Sequence, residues 1–498
     1  MSEVSRVRGG QEQHVVSGPQ PDEKSDSSKA SVRSVRGRLG EIASKARPIA
    51  SAVTGAAADA ATAARRSAAW RTASDRLTMA AHRPLTAASD AAWIGRLPGG
   101  QRVRSALTQA AEKAAVARAM GPNLKTLLGD IDPLDAAIDT HQREQMLSAI
   151  KNLGLRAEIA VVDENGQLSP ADSKVFEQIY MENFPAAEAV PVKTIQAAMA
   201  NRKAAGTELD GKRFTLCYTG KLPGESEDKR RPLAFAQGGT LDAGKNGMVS
   251  FAEYLAVQDE FRGHGMLHVM LGFVNASAMA AVAKHNQTTG DNKAMLGAVW
   301  EIDPKGRGET AEDRLYTIQR NRIYDRAGAL VVMGQTNDER LVPVHAQPDV
   351  TPDGNTGNWH LHFVYRPNPG SPAFDKDALV AASQSYDDYF RDWAATGQPG
   401  VDAAKIAEAA RYKGELHAGF DEVALMKPSD APSDWDMARD DPLVAQIVAE
   451  GFGLVRGDGS SYSDADFANP AIRNEIAARA ATAFARELEE ANAAAEAE

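Results

Sequence analysis

The sequence predicts a mixed α/β domain over residues 155–395, with a long basic extension before it and an acidic helical one after it. Three observations predict this. Phe251 to Leu271 changes from strand chemistry, rich in aromatic and branched residues at Tyr254, Leu255 and Val257, to a helical pattern. That second pattern places Met266, Val269, Met270, Phe273 and Val274 on one face. Short apolar runs also alternate with amphipathic segments from Ala157 to Tyr365. Residues 1–120, by contrast, are rich in Ala and Arg and hold 19 Lys and Arg against 10 Asp and Glu.

A chain of 498 residues is long enough for more than one domain. Its single cysteine, Cys217, rules out an intramolecular disulfide framework and fits a reducing compartment, so a cytoplasmic protein is expected. No apolar run approaches the roughly 20 residues of a membrane span, and no secretory h-region follows Met1. The net charge of −11 hides an asymmetry, because the first 120 residues are basic and the rest strongly acidic. A basic stretch fits a solvated tail, nucleic acid, an anionic membrane or an export signal. Only Trp70 and Trp93 interleave it with aromatics, which argues against nucleic acid.

In chain order, residues 1–34 read as a disordered polar tail. Residues 35–154 read as an Ala/Arg-rich helical extension broken at Pro48, Pro84 and Leu97-Pro-Gly-Gly100. Its last part is a connector with Met146, Ile150 and Leu153 on one face. The domain then begins with a strand, Ala157 to Asp163, and a turn at Glu164-Asn-Gly166. A helix opens at Ser169 with Pro170 and Asp172 in its first turn and carries Val175, Phe176, Ile179 and Tyr180. It stops at Asn183-Phe-Pro185, and a second helix runs from Pro191 through Ile195 and Met199. Phe214 to Tyr218 and Pro232 to Gln237 form a strand pair around the charged turn Pro223 to Arg230.

Val249 to Val257 is the next strand, and its helix continues to about His285. There follow a strand from Ala294 to Asp303, a helix from Glu312 to Ala327, and strands over Gly328 to Val332 and Trp359 to Tyr365. The helix from Asp375 to Trp393 carries Leu379, Tyr386, Tyr389, Phe390 and Trp393, and packs on the core or on a partner. Residues 396–498 are a helical, acidic extension. It is loop-like from Lys427 and ends in an Ala/Glu helix, Asn469 to Glu498, with no long apolar face.

Between the strand and helix of the Phe251–Leu271 stretch lies Gln258 to Gly265. Such a turn aims free backbone N–H groups at one point, and the helix dipole adds positive potential there. Gly263 and Gly265 let the backbone approach a bulky anion, and Arg262 adds charge. The unit reads as a pyrophosphate cradle. Val257-Gln-Asp-Glu-Phe-Arg-Gly-His-Gly265 resembles the acetyl-CoA-binding segment of the GNAT N-acetyltransferase family, with Leu267 where the family usually has Gly or Ala. Ile323-Tyr-Asp-Arg-Ala-Gly328 resembles a second family segment, with Ile323 in place of an aromatic. The run ending in Phe184-Pro185, and His345-Ala-Gln-Pro348, are similar to further family segments. The resemblance covers residues 155–370.

The resemblance implies a mixed, mostly antiparallel sheet flanked by helices. It implies acetyl-CoA as co-substrate and direct transfer of the acetyl group to a primary amine in a ternary complex. Backbone of Leu255, Ala256 and Val257 would pair with the amide-bearing pantetheine arm. Backbone of Arg262, Gly263, His264, Gly265, Met266 and Leu267 would hold the pyrophosphate. Tyr324 matches the family's general-acid tyrosine. The base is Glu301 or Glu253, each a carboxylate interrupting an apolar strand, with Glu301 preferred because its flanks point to deeper burial.

His264 and His268 stand at i and i+4, a spacing that could hold zinc, and His360 and His362 point to one face of a strand, but both pairs read as polar side chains around a cofactor loop or sheet edge, so no metal is expected. The acceptor is a small-molecule or protein amine, and the helical extensions are candidate surfaces for a protein partner. The alternatives are a longer acyl-CoA, a CoA-binding module without catalysis, and a secreted effector whose leader directs export.

Overall fold

A computed structural model of the chain describes residues 100–184, 189–245, 247–348, 359–397 and 402–497. The polar tail and most of the Ala/Arg-rich extension lie outside the described residues. From Ala115 onward the chain forms one compact unit.

Among the described residues three helices precede the first strand: α1 (Gly100–Ala119), α2 (Pro122–Leu128) and α3 (Thr140–Asn152). Pro122 opens α2 at a position where its missing N–H costs nothing, and the Asp139 side chain caps α3 by accepting from the Gln142 N–H. The strands are β1 (Arg156–Ile159), β2 (Arg213–Gly220), β3 (Arg231–Asp242), β4 (Gly247–Val257), β5 (Ala294–Ile302), β6 (Leu330–Gln335), β7 (Leu341–Val342), β8 (Ala346–Gln347), β9 (Trp359–His360), β10 (His362–Pro367) and β11 (Glu422–Met426). The main sheet runs β1-β2-β3-β4-β5-β10-β6-β11, with β7 also on β6. Among the described strands β4 and β5 are the one parallel pair. They are linked by helix α6 (Met266–Thr289), as a parallel crossover requires.

The sheet is covered on both faces, so its strands are apolar nearly throughout. On one face Ala236, Ala252, Ala298, Trp300 and Val364 pack with Met270 and Phe273 of α6 and with Met146 and Ile150 of α3. On the other, Phe235, Phe251, Val299 and Phe363 meet Phe176, Ile195, Leu379, Tyr386 and Phe390. Those last residues come from the π turn Phe176–Tyr180 that continues α4 (Pro170–Val175), from α5 (Val192–Ala204) and from α8 (Lys376–Ala394). Helix α6 is the one described helix long and apolar enough to cross a membrane, and most of it is buried in this core.

The core also takes in residues on either side of 155–395. Leu124, Leu128, Met146 and Leu153 join it from before β1, and Val444, Val448, Ile476 and Ala480 from the C-terminal part. Gly272 is what lets α3 approach, since a Cβ there would meet the Met146 sulfur at 2.4 Å. The final helix (Pro470–Ala497) was expected to bury no long face, yet Ile476, Ala477, Ala480 and Phe484 are buried. Only Ile476 and Phe484 of that face are large and the rest is alanine, so periodicity in hydrophobic bulk misses it.

Two further expectations shift. The strand read over Trp359 to Tyr365 is two pieces. Trp359–His360 pairs with Ala346–Gln347 in a separate small sheet, while His362–Pro367 enters the main sheet between β5 and β6. The edge strand β11, half-exposed along its length, has no apolar alternation to announce it.

Candidate functional site

The parallel ladder of β4 and β5 ends at the pair Ala252–Trp300. Beyond it β5 continues beside β10, and β4 continues to Val257 beside β3 alone. The cause is local. Gln237 of β3 stands opposite Tyr254 and Gly238 opposite Ala252, so Glu253 is an extra residue on β4. A bulge of this kind bends its strand and raises the local twist. The edge of β4 from Glu253 to Val257 that faces away from β3 therefore has no strand partner among the described residues, and Leu255, Ala256 and Val257 lie on it.

The loop that follows folds over a 3-10 turn, Asp259–Phe261, pinned by the fully buried Phe261 ring. Gly263 and Gly265 both adopt left-handed backbone, at φ 79° and 81°, and Gly265 is the N-cap of α6. The first helical bond runs from the Val269 N–H to the Gly265 carbonyl. The N–H groups of Gly263, His264, Gly265, Met266, Leu267 and His268 have no partner among the described residues. They form the concentration of donors that an anion needs. Arg262 is less free than its position implies. Its guanidinium lies 2.9 Å from the Asp259 carboxylate and its Nε donates to the Val257 carbonyl at 3.3 Å. The two glycines also differ. A Cβ on Gly263 would meet nothing within 4 Å, whereas one on Gly265 would come within 3.2 Å of the Gln145 carbonyl of α3. Gly265 serves helix packing as well as the loop.

Glu253 and Glu301 each follow a member of the last ladder pair, and both turn toward α8. The Glu301 carboxylate uses one oxygen, Oε1, for two partners: His345 Nε2 at 2.6 Å and the Tyr386 hydroxyl at 2.8 Å. Its side chain stays about 10% exposed. No described residue engages its Oε2. Glu253 is the mirror case. Its Oε2 accepts from Gln237 Nε2 at 2.8 Å and from the Tyr389 hydroxyl at 2.6 Å, while its Oε1 is buried without a partner. Burial pushes the Glu253 carboxyl above the ordinary range. Arg213, stacked over the Tyr389 and Trp393 rings, and the two hydrogen bonds pull it back, and the charge of Glu301 adds to the rise. Deeper burial of Glu301 was the expectation; the orphaned oxygen belongs to Glu253 instead, because the bulge turns it inward.

Tyr324, on α7 (Ala311–Arg326), packs on the other face of the sheet. Its ring lies 5.5 Å from that of Trp300, the last residue of β5 paired with β4. Burial raises the phenol's pKa, and Arg320 opposes the rise. The phenol therefore stays protonated at neutral pH, as a proton donor requires. Glu253 and Glu301 thus stand at the end of the β4–β5 ladder on the α8 face of the sheet, and Tyr324 packs beside Trp300 on the opposite face.

Sequence reasoning passed over Gln237, His345 and the pair Tyr386/Tyr389. Gln237 carried the same signal as the two glutamates, a polar residue in an apolar strand. Tyr386 and Tyr389 stand three apart on one helical face, and read only as core.

The histidines do not form a shared site. The His264 side chain is exposed, and the His268 ring packs edge-on against His141 at 5.4 Å. His360 contacts the Tyr412 hydroxyl of α9 (Ala403–Ala418) at 2.5 Å, whereas both ring nitrogens of His362 are buried without partners. The break at Leu361 separates them, so they belong to two strands of different sheets and not to one strand. Among the described residues no group of three or more His, Cys, Asp or Glu side chains is placed to hold a metal ion. A cleft bounded by Pro367, Phe374, Lys376, Asp421 and Val423 contains none of the candidate catalytic or cofactor-binding residues. No protein-family model matches the chain, and no curated protein matches it.

Proposed function

We propose that this chain is an acyltransferase of the GNAT type that moves the acetyl group of acetyl-CoA onto a primary amine, of a small molecule or of a protein. The observation that carries the reading is the end of the β4–β5 ladder at Ala252–Trp300, with Glu253, Glu301 and Tyr324 around it and the free β4 edge leading to the Gly263–Gly265 loop. A mostly antiparallel sheet with helices on both faces agrees with it.

In this reading the unpaired backbone of Leu255, Ala256 and Val257 takes the pantetheine amides as a further strand would. The N–H groups from Gly263 to His268 take the pyrophosphate. Glu301, through its unengaged Oε2, accepts a proton from the acceptor amine. The amine nitrogen then bonds to the thioester carbonyl carbon, the carbon–sulfur bond breaks, and Tyr324 gives its proton to the departing sulfur. Acid–base help of this kind contributes roughly 10²–10⁴-fold. Calorimetric titration of acetyl-CoA into the full chain and into Gly263→Glu tests the reading. Binding by the wild type that the variant loses supports it, and a folded wild type that does not bind sinks it.

A further inference from the structure

We propose that His345 and Tyr386 are positioning residues that lock Glu301 into a base with a single working oxygen, and that His345 does so as the neutral Nε2–H tautomer. The proposal rests on the acyl-transfer reading and adds to it a part that no motif supplied. Both donors converge on Oε1, at 2.6 and 2.8 Å, which leaves Oε2 as the oxygen that meets a substrate. The imidazole has no freedom to turn. It is completely buried, stacked on the Phe363 ring at 4.8 Å and met edge-on by the Tyr386 ring at 4.9 Å.

An ionised carboxylate can only accept, so the short contact places the histidine proton on Nε2. The Nδ1 atom is buried without a partner, which fits an unprotonated nitrogen and not a second N–H. The charged and titratable groups around the ring are Glu301 of β5, Tyr386 and Asp387 of α8, and Lys413 and His417 of α9. Lys413 is itself paired with Asp387, so the ring sits beside a compensated ion pair. Burial holds the imidazole pKa below its ordinary value, against the pull of Glu301. Tyr389 does for Glu253 what Tyr386 does for Glu301, so a single helix fixes both carboxylates.

The consequence for chemistry is directional. Each donated hydrogen bond fixes Oε1, so removing one frees the carboxylate to turn away from the acceptor amine. The test has two arms on the full chain. In the first, 15N-histidine-labelled protein is read by NMR at neutral pH with no substrate. A neutral Nε2–H signal for His345, absent in His345→Gln and displaced in Glu301→Gln, is the expected result. An Nδ1–H tautomer or a doubly protonated ring overturns the proposal.

In the second arm, release of the CoA thiol from acetyl-CoA is followed with spermidine and a lysine-containing peptide as acceptor probes. His345→Leu and Tyr386→Phe are expected to lower kcat for release about tenfold each and to leave KM for acetyl-CoA unchanged. His345→Gln, which keeps a donor at the place of Nε2, restores kcat. Acetyl-CoA binding stays unchanged in all three. An unmoved kcat in both His345→Leu and Tyr386→Phe overturns the proposal. Tyr386→Phe keeps the ring and so stands in should the leucine variant misfold. If wild type neither binds nor turns over acetyl-CoA, the acyl-transfer reading falls, and the NMR arm alone decides the positioning pair.

Discussion

Ala252 and Trp300 form the last pair of the parallel β4–β5 ladder, and the residue after each is a glutamate that accepts a tyrosine hydroxyl from the same helix. The relationship joins a backbone event, the bulge at Glu253, to a side-chain event, the capture of two carboxylates by α8. It also orders the experiments that follow.

The loop comes first. Gly263→Glu places a carboxylate among unpaired N–H groups at a point with open space around it. The left-handed backbone there costs an L-residue about 1–2 kcal/mol. The variant should therefore fold with a modestly lower Tm and lose acetyl-CoA in calorimetric titration. Gly263→Ala, with the same strain and no charge, should lose less affinity. Equal losses in the two would assign the effect to backbone strain.

Glu301→Gln and Tyr324→Phe remove a proton acceptor and a proton donor with little change in volume. Each should lower the rate of thiol release by about 10²-fold or more, and leave the affinity for acetyl-CoA intact. A variant of either kind with undiminished turnover removes that residue from the chemistry.

Acid sensitivity should trace in part to His362. Burial, with Arg307, His360 and Lys305 nearby, pushes its pKa down to about 3, while Asp303 pulls the other way. The folded state thus binds fewer protons than the unfolded chain between that value and the ordinary histidine value. This contribution to stability is intact above about pH 6.5 and is lost as the pH falls through that window, by up to about 1.4 kcal/mol per pH unit. His417, lowered to about 4 by burial, has the same sign. Denaturant unfolding followed from pH 7 to pH 4 should show a shallower fall for His362→Leu than for the wild type. Parallel curves would remove His362 as a cause.

The C-terminal part is tied to the sheet domain by a buried bidentate pair, with Arg307 Nε and Nη2 each 2.8 Å from the Asp434 carboxylate. Asp434→Asn leaves the Arg307 charge buried and uncompensated, and should cost about 3–5 kcal/mol. Replacing both, as Arg307→Met with Asp434→Leu, should cost less than the single change. Equal stability of the single variant and the wild type in chemical denaturation would contradict the burial of that charge.

The sequence by itself determined the units. Strand chemistry up to Val257, helical spacing from Met266 and glycines at 263 and 265 are local properties, and the structure places a strand, a left-handed loop and a helix there. Glu253 and Glu301 were legible for a similarly local reason, since each breaks an apolar strand.

What surrounds them was decided by tertiary structure alone. His345 and Glu301 are far apart in the chain, and Tyr386 and Tyr389 on α8 looked like core because most of each ring is core. Only the packing of that helix against the bulged strand turns their hydroxyls onto the carboxylates. The reach of the hydrophobic core into α3 and the final helix was hidden likewise. Contacts built on Gly272 and on small alanine faces carry little hydrophobic signal until two helices are brought together. Local periodicity records which face of an element is apolar, and it holds no record of which distant element will cover that face or which polar atom it will bring.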